Sequence, residues 1–322
     1  MIIFAKICIS DDYRGFILLF VHPARIVDNI NGYLLPNQSL FVGRRPDILA
    51  EGFVPMCKGS MPRDNGGLIL SIEEKTDLLD KSPKCEKLIK PFIGSNEFIN
   101  SECRFCLWIT DMDRMFAESI PAICNRLQIV KKYRESSKAP STKEYANRPH
   151  LFVQRTYINA PFIFIPEVSS ERREYIPIGY MENGEVASNK AFSIYNAPLW
   201  LFSVLTSKMH NIWVRTIGGA LETRLSYSSN LCYNNFPFPK ISKEQKEQLT
   251  ELAEEVLLTR ENHTEMTLGE MYNPETMPND LKEAHQALDI AVEQCYRTGP
   301  FTSDDERLEY LFKLYEKMTK KK

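Results

Sequence analysis

The chain has 322 residues, 43% of them hydrophobic and 25% charged, which is typical of an ordinary globular protein with room for two domains and a sizeable core. Eight irregularly spaced cysteines and no recognisable signal peptide favour a reducing cytoplasm and disfavour a disulfide framework. The apolar runs at residues 1–10 and 15–21 are too short to span a membrane, so we expect no membrane partner.

The net charge of −2 hides an asymmetry along the chain. Residues 240–322 carry 12 Lys and Arg against 18 Asp and Glu, whereas residues 1–239 carry 28 against 24. A polyanionic partner is therefore expected to meet the first part, with the acidic second part facing elsewhere. The excess of four positive charges is weak evidence taken alone.

The first part of the chain alternates strand-like and helical patterns. The runs at 1–10 and 15–21 are interpreted as two buried strands joined at Asp11 and Asp12. Ser71 is predicted to begin a helix, because Glu74 three residues later completes a capping box.

An amphipathic helix is predicted for residues 121–136. Ile123, Leu127 and Val130 recur at helical spacing and form its inward face. The prediction places basic side chains on its outward face: Lys131, Lys132 and Arg134.

From Pro198 onward, apolar residues recur every three or four positions, which predicts one helix that Gly218 and Gly219 end in a left-handed conformation. A second unit follows, in which Ser242 and Gln245 form another capping box and three short helices are predicted. The fold class is therefore α+β: a mixed domain followed by a small all-α helical domain.

Few residues offer catalytic or metal chemistry. Cys103 and Cys106 form the only C-x-x-C pair, and no second pair at metal spacing completes a zinc site. His210 lies between apolar helix positions and is interpreted as a packed histidine. No catalytic residue and no metal site are predicted.

Two polar groups suit a binding protein better. Arg172 and Arg173 follow Ser169 and Ser170 in a predicted turn, and these donors suit DNA phosphates. A solvated turn with surface salt bridges explains the same residues equally well.

The second group is Glu222, Arg224 and Ser226, three candidate base-reading residues that alternation would place on one face of a short strand. Arginine can donate two hydrogen bonds to guanine and glutamate can accept from cytosine N4, so the pair could read a C·G base pair. On the residues alone, a structural ion pair is the preferred interpretation.

Several segments, in the same order, resemble MmeI-like type II restriction–modification enzymes over nearly all of the chain. They are "MCKGSMPRDNGG", "IKPFIGSNEFIN", "ECRFCLWI", "VSSERREYIPIGY", "LTSKMHNIWVR", "GGALETRLSYSSNLCYNNFPFP" and "MYNPETMPNDLKEAHQALD".

The resemblance implies a division into the end of a methyltransferase domain at 1–30, a DNA target-recognition domain at 31–239 and a C-terminal helical domain at 240–322. The family's adenine-methyltransferase tetrapeptide, its glycine-rich S-adenosylmethionine motif and its nuclease motif are absent from the sequence. S-adenosylmethionine and Mg²⁺ are therefore expected to belong to other domains, and the chain is expected to be a truncated gene, a split subunit or a cut piece.

The resemblance also implies roles for individual residues. Glu222 and Arg224 match the readers of the base pair beside the methylated adenine, and Asn189 and Lys190 match another base-reading region. The implied function is recognition of duplex DNA, with a methyltransferase domain in cis or in trans. A specificity or interaction subunit of a separate methyltransferase, and a non-functional remnant, remain as alternatives.

The chain alone is expected to transfer no methyl group, since no motif in it supplies S-adenosylmethionine binding. The measurement is incubation with duplex DNA and radiolabelled S-adenosylmethionine, with a complete adenine methyltransferase as the positive control. Methyl transfer by the chain itself would contradict this expectation.

Overall fold

A computed structural model of the chain describes residues 16–18, 25–27, 41–182 and 184–320. The first two ranges form an antiparallel pair in which Phe16 lies opposite Val27. The predicted strand at 1–10, its joint at Asp11 and Asp12, and most of the segment predicted to end a methyltransferase domain lie outside the described residues.

Helices account for most of the regular structure in this part of the chain. They are α1 (Ile72–Lys81), α2 (Ser95–Asn100), α3 (Arg114–Glu118), α4 (Pro121–Glu135), α5 (Pro140–Lys143), α6 (Leu199–Thr206), α7 (Lys208–Ile217), α8 (Lys243–Glu261), α9 (Leu268–Met271), α10 (Asn279–Tyr296) and α11 (Asp304–Thr319).

The strands are short. They are β1 (Phe16–Leu18), β2 (Arg25–Val27), β3 (Cys57–Lys58), β4 (Ile69–Leu70), β5 (Ile89–Ile93), β6 (Phe105–Leu107), β7 (Phe162–Pro166), β8 (Val168–Ser169), β9 (Gly179–Met181), β10 (Val186–Ala187), β11 (Ala191–Tyr195), β12 (Gly219–Leu221) and β13 (Arg224–Ser226). Among the described residues they form four sheets, ordered β1–β2, β10–β5–β6–β4, β3–β11–β7–β9 and β12–β13–β8.

The sheet ordered β10–β5–β6–β4 and helix α4 share a core of their own. Leu70 from β4, Leu107 from β6 and Leu127 from α4 are buried together there. The predicted inward face of α4 is confirmed, because Ile123, Leu127 and Val130 are each at most 3% exposed.

A second, larger core joins the other sheets to the C-terminal helices. Ile163 on β7, Phe202 on α6, Val256 on α8 and Phe312 on α11 belong to one buried cluster. The α+β fold with a following helical domain is confirmed, but the helices after residue 240 complete a shared core. Both predicted capping boxes, at Ser71 and Ser242, are present.

The single helix predicted after Pro198 is two helices, α6 and α7. The break is at Ser207, whose side chain accepts from the His210 amide and caps α7. The left-handed prediction for Gly218 is wrong, since its φ is −64°. A side-chain carbon at Gly218 would lie 2.4 Å from the Val214 carbonyl oxygen, so glycine is needed there for close backbone approach.

Arg134 is the clearest correction to the predicted helix faces, because its side chain is fully buried. Its guanidinium donates five hydrogen bonds of 2.7–3.2 Å to backbone carbonyls. The acceptors are the carbonyls of Pro62, Arg63, Tyr145, Arg148 and Leu151. Burial lowers the pKa of Arg134 to about 10, with buried Asp64 opposing that shift.

Within the described part of the chain, no helix is both long and apolar enough to cross a membrane. The cysteines described there are free thiols.

Replacing Arg134 by methionine should lower the free energy of unfolding by about 3–5 kcal/mol, because five backbone carbonyls and the buried Asp64 carboxylate lose the cation beside them. Urea denaturation measures the change. Lys132→Met on the same helix removes an exposed charge and should change stability by no more than about 0.5 kcal/mol. Equal effects of the two substitutions would contradict the structural role of Arg134.

Candidate nucleic-acid interface

Strands β12 and β13 form a hairpin that carries three of the candidate base-reading residues, Glu222, Arg224 and Ser226. Leu221 pairs with Arg224, so Glu222 and Thr223 form a two-residue turn. The prediction that Glu222 shares a strand face with Arg224 and Ser226 is therefore wrong. Arg224 and Ser226 alternate on β13 with Leu225, which packs against the larger core.

The turn nevertheless brings the two charged side chains together. Arg224 Nη2 lies 2.8 Å from Glu222 Oε2, with side-chain exposures of 49% and 77%. An ion pair this exposed contributes about 0–1 kcal/mol to stability, so folding does not explain the pair.

Glu222 has a left-handed backbone, with φ of +59°. This region is unfavourable for a residue with a long side chain and would suit glycine or asparagine. An outlier of this kind at an exposed turn motivates a functional role for the side chain.

The residue after β13 anchors the hairpin in the core. Tyr227 is buried, and its hydroxyl lies 2.9 Å from His210 Nε2. Burial lowers the pKa of His210 to about 3, so the ring is neutral and the interpretation as a packed histidine is confirmed.

The asparagines that follow fasten this segment to residues 43–46. The Asn234 amide donates to the carbonyls of Arg45 and Pro46 at 3.0 and 2.9 Å, and the Asn235 amide donates to that of Gly43 at 2.9 Å. The side-chain amides that follow the hairpin therefore fix this segment by hydrogen bonds to backbone carbonyls of residues 43–46.

Glu167 joins the hairpin to the turn that contains Lys190. Its backbone N–H lies 3.1 Å from the Lys190 carbonyl oxygen and 2.9 Å from Ser95 Oγ. Its carbonyl accepts from the Tyr227 N–H at 2.8 Å, and its carboxylate lies 2.7 Å from Lys58 Nζ. Sequence reasoning missed Glu167, because its partners are all distant in the chain.

The candidates Asn189 and Lys190 occupy the turn between β10 and β11. Lys190 is exposed and Asn189 is half-buried, with its backbone N–H 2.9 Å from the Ser60 carbonyl oxygen. Through two backbone hydrogen bonds of Glu167, this turn is linked to Tyr227, the residue that follows β13.

The predicted phosphate-contacting residues are the last residue of β8 and the turn that follows it. Ser169 is buried and its hydroxyl has no hydrogen-bond partner among the described residues, so it does not fit that role. Arg172 is exposed, whereas Ser170 and Arg173 are half-buried. Arg172 pairs with Glu275 of the helical domain.

Arg215 on α7 holds this turn in place. Its guanidinium donates to the carbonyl of Glu171 at 2.8 Å and to that of Arg173. The sequence shows Arg215 only as a basic residue in the last turn of a helix. It does not predict that the acceptors of Arg215 lie more than forty residues away.

The C-x-x-C pair and the other potential ligands among the described residues are not arranged as a metal site. Cys103 is exposed while Cys106 is buried in β6, and burial raises the pKa of the Cys106 thiol. The described ranges contain no group of three or more His, Cys, Asp or Glu side chains placed to hold a metal ion.

Comparison with known proteins adds the decisive observation. A family model described as "MmeI, target recognition domain" matches residues 36–240, and one described as "MmeI, C-terminal domain" matches residues 241–321. The chain belongs to the MmeI family.

Two known proteins are similar to most of the chain. DNA methyltransferase A of Bacillus subtilis (strain 168) is 40% identical over 304 residues, covering 94% of this chain and 34% of that protein. A solved structure of the type IIL restriction–modification enzyme MmeI in complex with DNA matches with a TM-score of 0.89 and 33% identity, covering 96% of this chain and 42% of that one. The chain thus spans well under half the length of these relatives.

Glu222→Gly should leave the free energy of unfolding unchanged or raise it by up to about 1 kcal/mol, because glycine adopts the left-handed region without strain. Thermal or urea denaturation measures this. Arg224→Ala serves as the comparison, since it breaks the same ion pair without relieving the backbone. A loss of more than about 1 kcal/mol in Glu222→Gly would show that the glutamate stabilises the hairpin.

Proposed function

We propose that this chain is the sequence-reading part of a restriction–modification DNA methyltransferase, and that it recognises duplex DNA through the β12–β13 hairpin. The observation that carries the proposal is the exposed Glu222–Arg224 pair on a strained turn, which contributes little to folding. Membership of the MmeI family and the likeness to an enzyme solved in complex with DNA support it.

The geometry suits base recognition in the major groove. A two-stranded ribbon fits that groove, and the hairpin presents Arg224 and Glu222 at its tip. On binding, the internal ion pair opens. Arg224 then donates to guanine O6 and N7, Glu222 accepts from cytosine N4, and together they specify a C·G pair, beside the adenine that a methyltransferase domain flips out.

The neighbouring residues have supporting roles in the proposal. Lys190 and Asn189 reach bases from the adjacent turn, and Ser226 lies next to Arg224 on the outward side of β13. Arg172, Arg173 and Ser170 contact phosphates, which set the position of the protein on the duplex without carrying sequence information.

The catalytic steps are assigned to domains outside this stretch. The sequence has neither the N-P-P-[FY] tetrapeptide nor the glycine-rich motif for S-adenosylmethionine, and no acidic cluster suited to Mg²⁺ occurs among the described residues. The residues present therefore do not fit either cofactor. A methyltransferase domain in cis or in trans is the proposed partner, and the cytoplasm is the proposed compartment.

The double substitution Glu222→Lys and Arg224→Asp should shift base preference from C·G to G·C at one position and leave the others unchanged. The reason is that a donor replaces the acceptor and an acceptor replaces the donor. Each lost contact should cost about 1–3 kcal/mol of discrimination. Binding selection from a randomised duplex library measures the preference.

Glu222→Gly is the matched control, because it removes the carboxylate while keeping the turn. It should relax the preference at that one position without creating a new one. An unchanged site in the double variant would contradict base reading and leave the two residues as a surface ion pair.

A further inference from the structure

A small cavity lies where the turn after β8 meets the helical domain. It has a volume of about 110 Å³, which corresponds to the space of roughly three or four water molecules. Its lining residues are Ser170, Arg172, Arg173, Gly269, Asn273 and Pro274. Two parts of the chain about 100 residues apart therefore build it together.

Arg173 provides a cation without a counter-charge in this cavity. Its Nε is buried without a hydrogen-bond partner among the described residues, and no acidic side chain pairs with its guanidinium there. Its Nη2 lies 3.4 Å from the place that a side-chain carbon would take at Gly269, so the guanidinium lies against α9. Burial lowers the pKa of Arg173, and an anion in the cavity would offset that cost.

Asn273 adds a neutral donor from the helical domain. Its Oδ1 accepts from the Glu275 backbone N–H at 3.2 Å, which fixes the orientation of the amide. Its amide NH₂ has no hydrogen-bond partner among the described residues. The cavity thus combines arginine and amide donors, which is the chemistry that recognises phosphate oxygens.

The other arginine of the cavity, Arg172, is paired with Glu275. The Glu275 carboxylate pairs with the Arg172 guanidinium, and the two side chains are 70% and 61% exposed. An exposed pair of this kind exchanges readily with a stronger anion, because it contributes about 0–1 kcal/mol.

We propose that this cavity binds one phosphate group of the DNA backbone, held by Arg172, Arg173 and Asn273, and that Glu275 takes the place of that phosphate on Arg172 in the free protein. The inference rests on the proposed function and extends it. The acidic helical domain supplies part of the DNA contact, although its net charge predicted that it would face elsewhere. The antiparallel register of β8 and β13 pairs Ser169, the residue before this turn, with Leu225, the residue after Arg224, so the turn and the hairpin are neighbours.

The test is a titration of the full chain against a fluorescent duplex of random sequence, followed by anisotropy. Glu275→Gln should raise affinity roughly two- to fivefold for all sequences, because no internal pair has to break. Asn273→Asp keeps the acceptor for the Glu275 N–H but replaces the donor with a carboxylate oxygen, and should lower affinity at least about tenfold.

Glu316→Gln is the matched control. It makes the same charge change and breaks a comparable exposed pair, Glu316 with Lys320, elsewhere in the helical domain. A gain equal to that of Glu275→Gln would reduce the effect to net charge and overturn the inference. In an Arg172→Ala background, the gain from Glu275→Gln should disappear, and a persisting gain would also overturn it.

Three further outcomes separate the sources of phosphate and the two proposals. If inorganic phosphate binds the chain in calorimetry and Asn273→Asp abolishes that binding without affecting duplex affinity, the cavity takes free phosphate and the DNA assignment is wrong. If the unmodified chain binds duplex DNA but neither variant changes affinity, only the cavity proposal fails. If the unmodified chain binds no duplex at all, the proposed function and this inference fail together.

Discussion

The backbone of Glu167 is the junction on which the candidate surface depends. Its N–H donates to the Lys190 carbonyl and to Ser95 Oγ, and its carbonyl accepts from the Tyr227 N–H. These contacts tie the β10–β11 turn, the start of α2 and the base of the β12–β13 hairpin to one residue. Because backbone groups make the contacts with Lys190 and Tyr227, the placement of the β10–β11 turn against the hairpin does not depend on side chains, whereas α2 is joined through the Ser95 hydroxyl.

Rigidity behind the hairpin comes from the larger core. Tyr227 and His210 fix the end of β13 to α7, while Arg215 on the same helix fixes the turn after β8. Helices α8, α10 and α11 pack around α6 and α7 in one hydrophobic cluster. The helical domain therefore supports the recognition surface, and exposed side chains at the hairpin tip are free to vary in sequence without loss of the fold.

The correct predictions from sequence concern features that depend on residues close together in the chain. The capping boxes at Ser71 and Ser242, the inward face of α4 and the overall α+β order all follow from residues within a few positions of one another. Family resemblance, rather than pattern, singled out Lys190 and favoured base reading for Arg224.

One error arose where distant backbone groups decide the outcome, and others arose where a turn or a helix cap interrupts a regular pattern. Arg134 is buried because carbonyls of residues 62–63 and 145–151 converge on it, and periodicity alone predicts an outward side chain. Glu222 lies in the hairpin turn and outside the strand, and the alternation of residues does not reveal where the chain turns. Ser207 interrupts a continuous apolar pattern because its hydroxyl caps the next helix.

Hydrogen–deuterium exchange of the chain, free and bound to duplex DNA, tests the central claim that these segments form one DNA-contacting surface. Three segments should exchange more slowly in the complex: residues 169–174, 188–190 and 219–226. The exposed side of α4 should be unaffected. Protection confined to α4 or to the outer helices, with none in the three segments, would contradict the account.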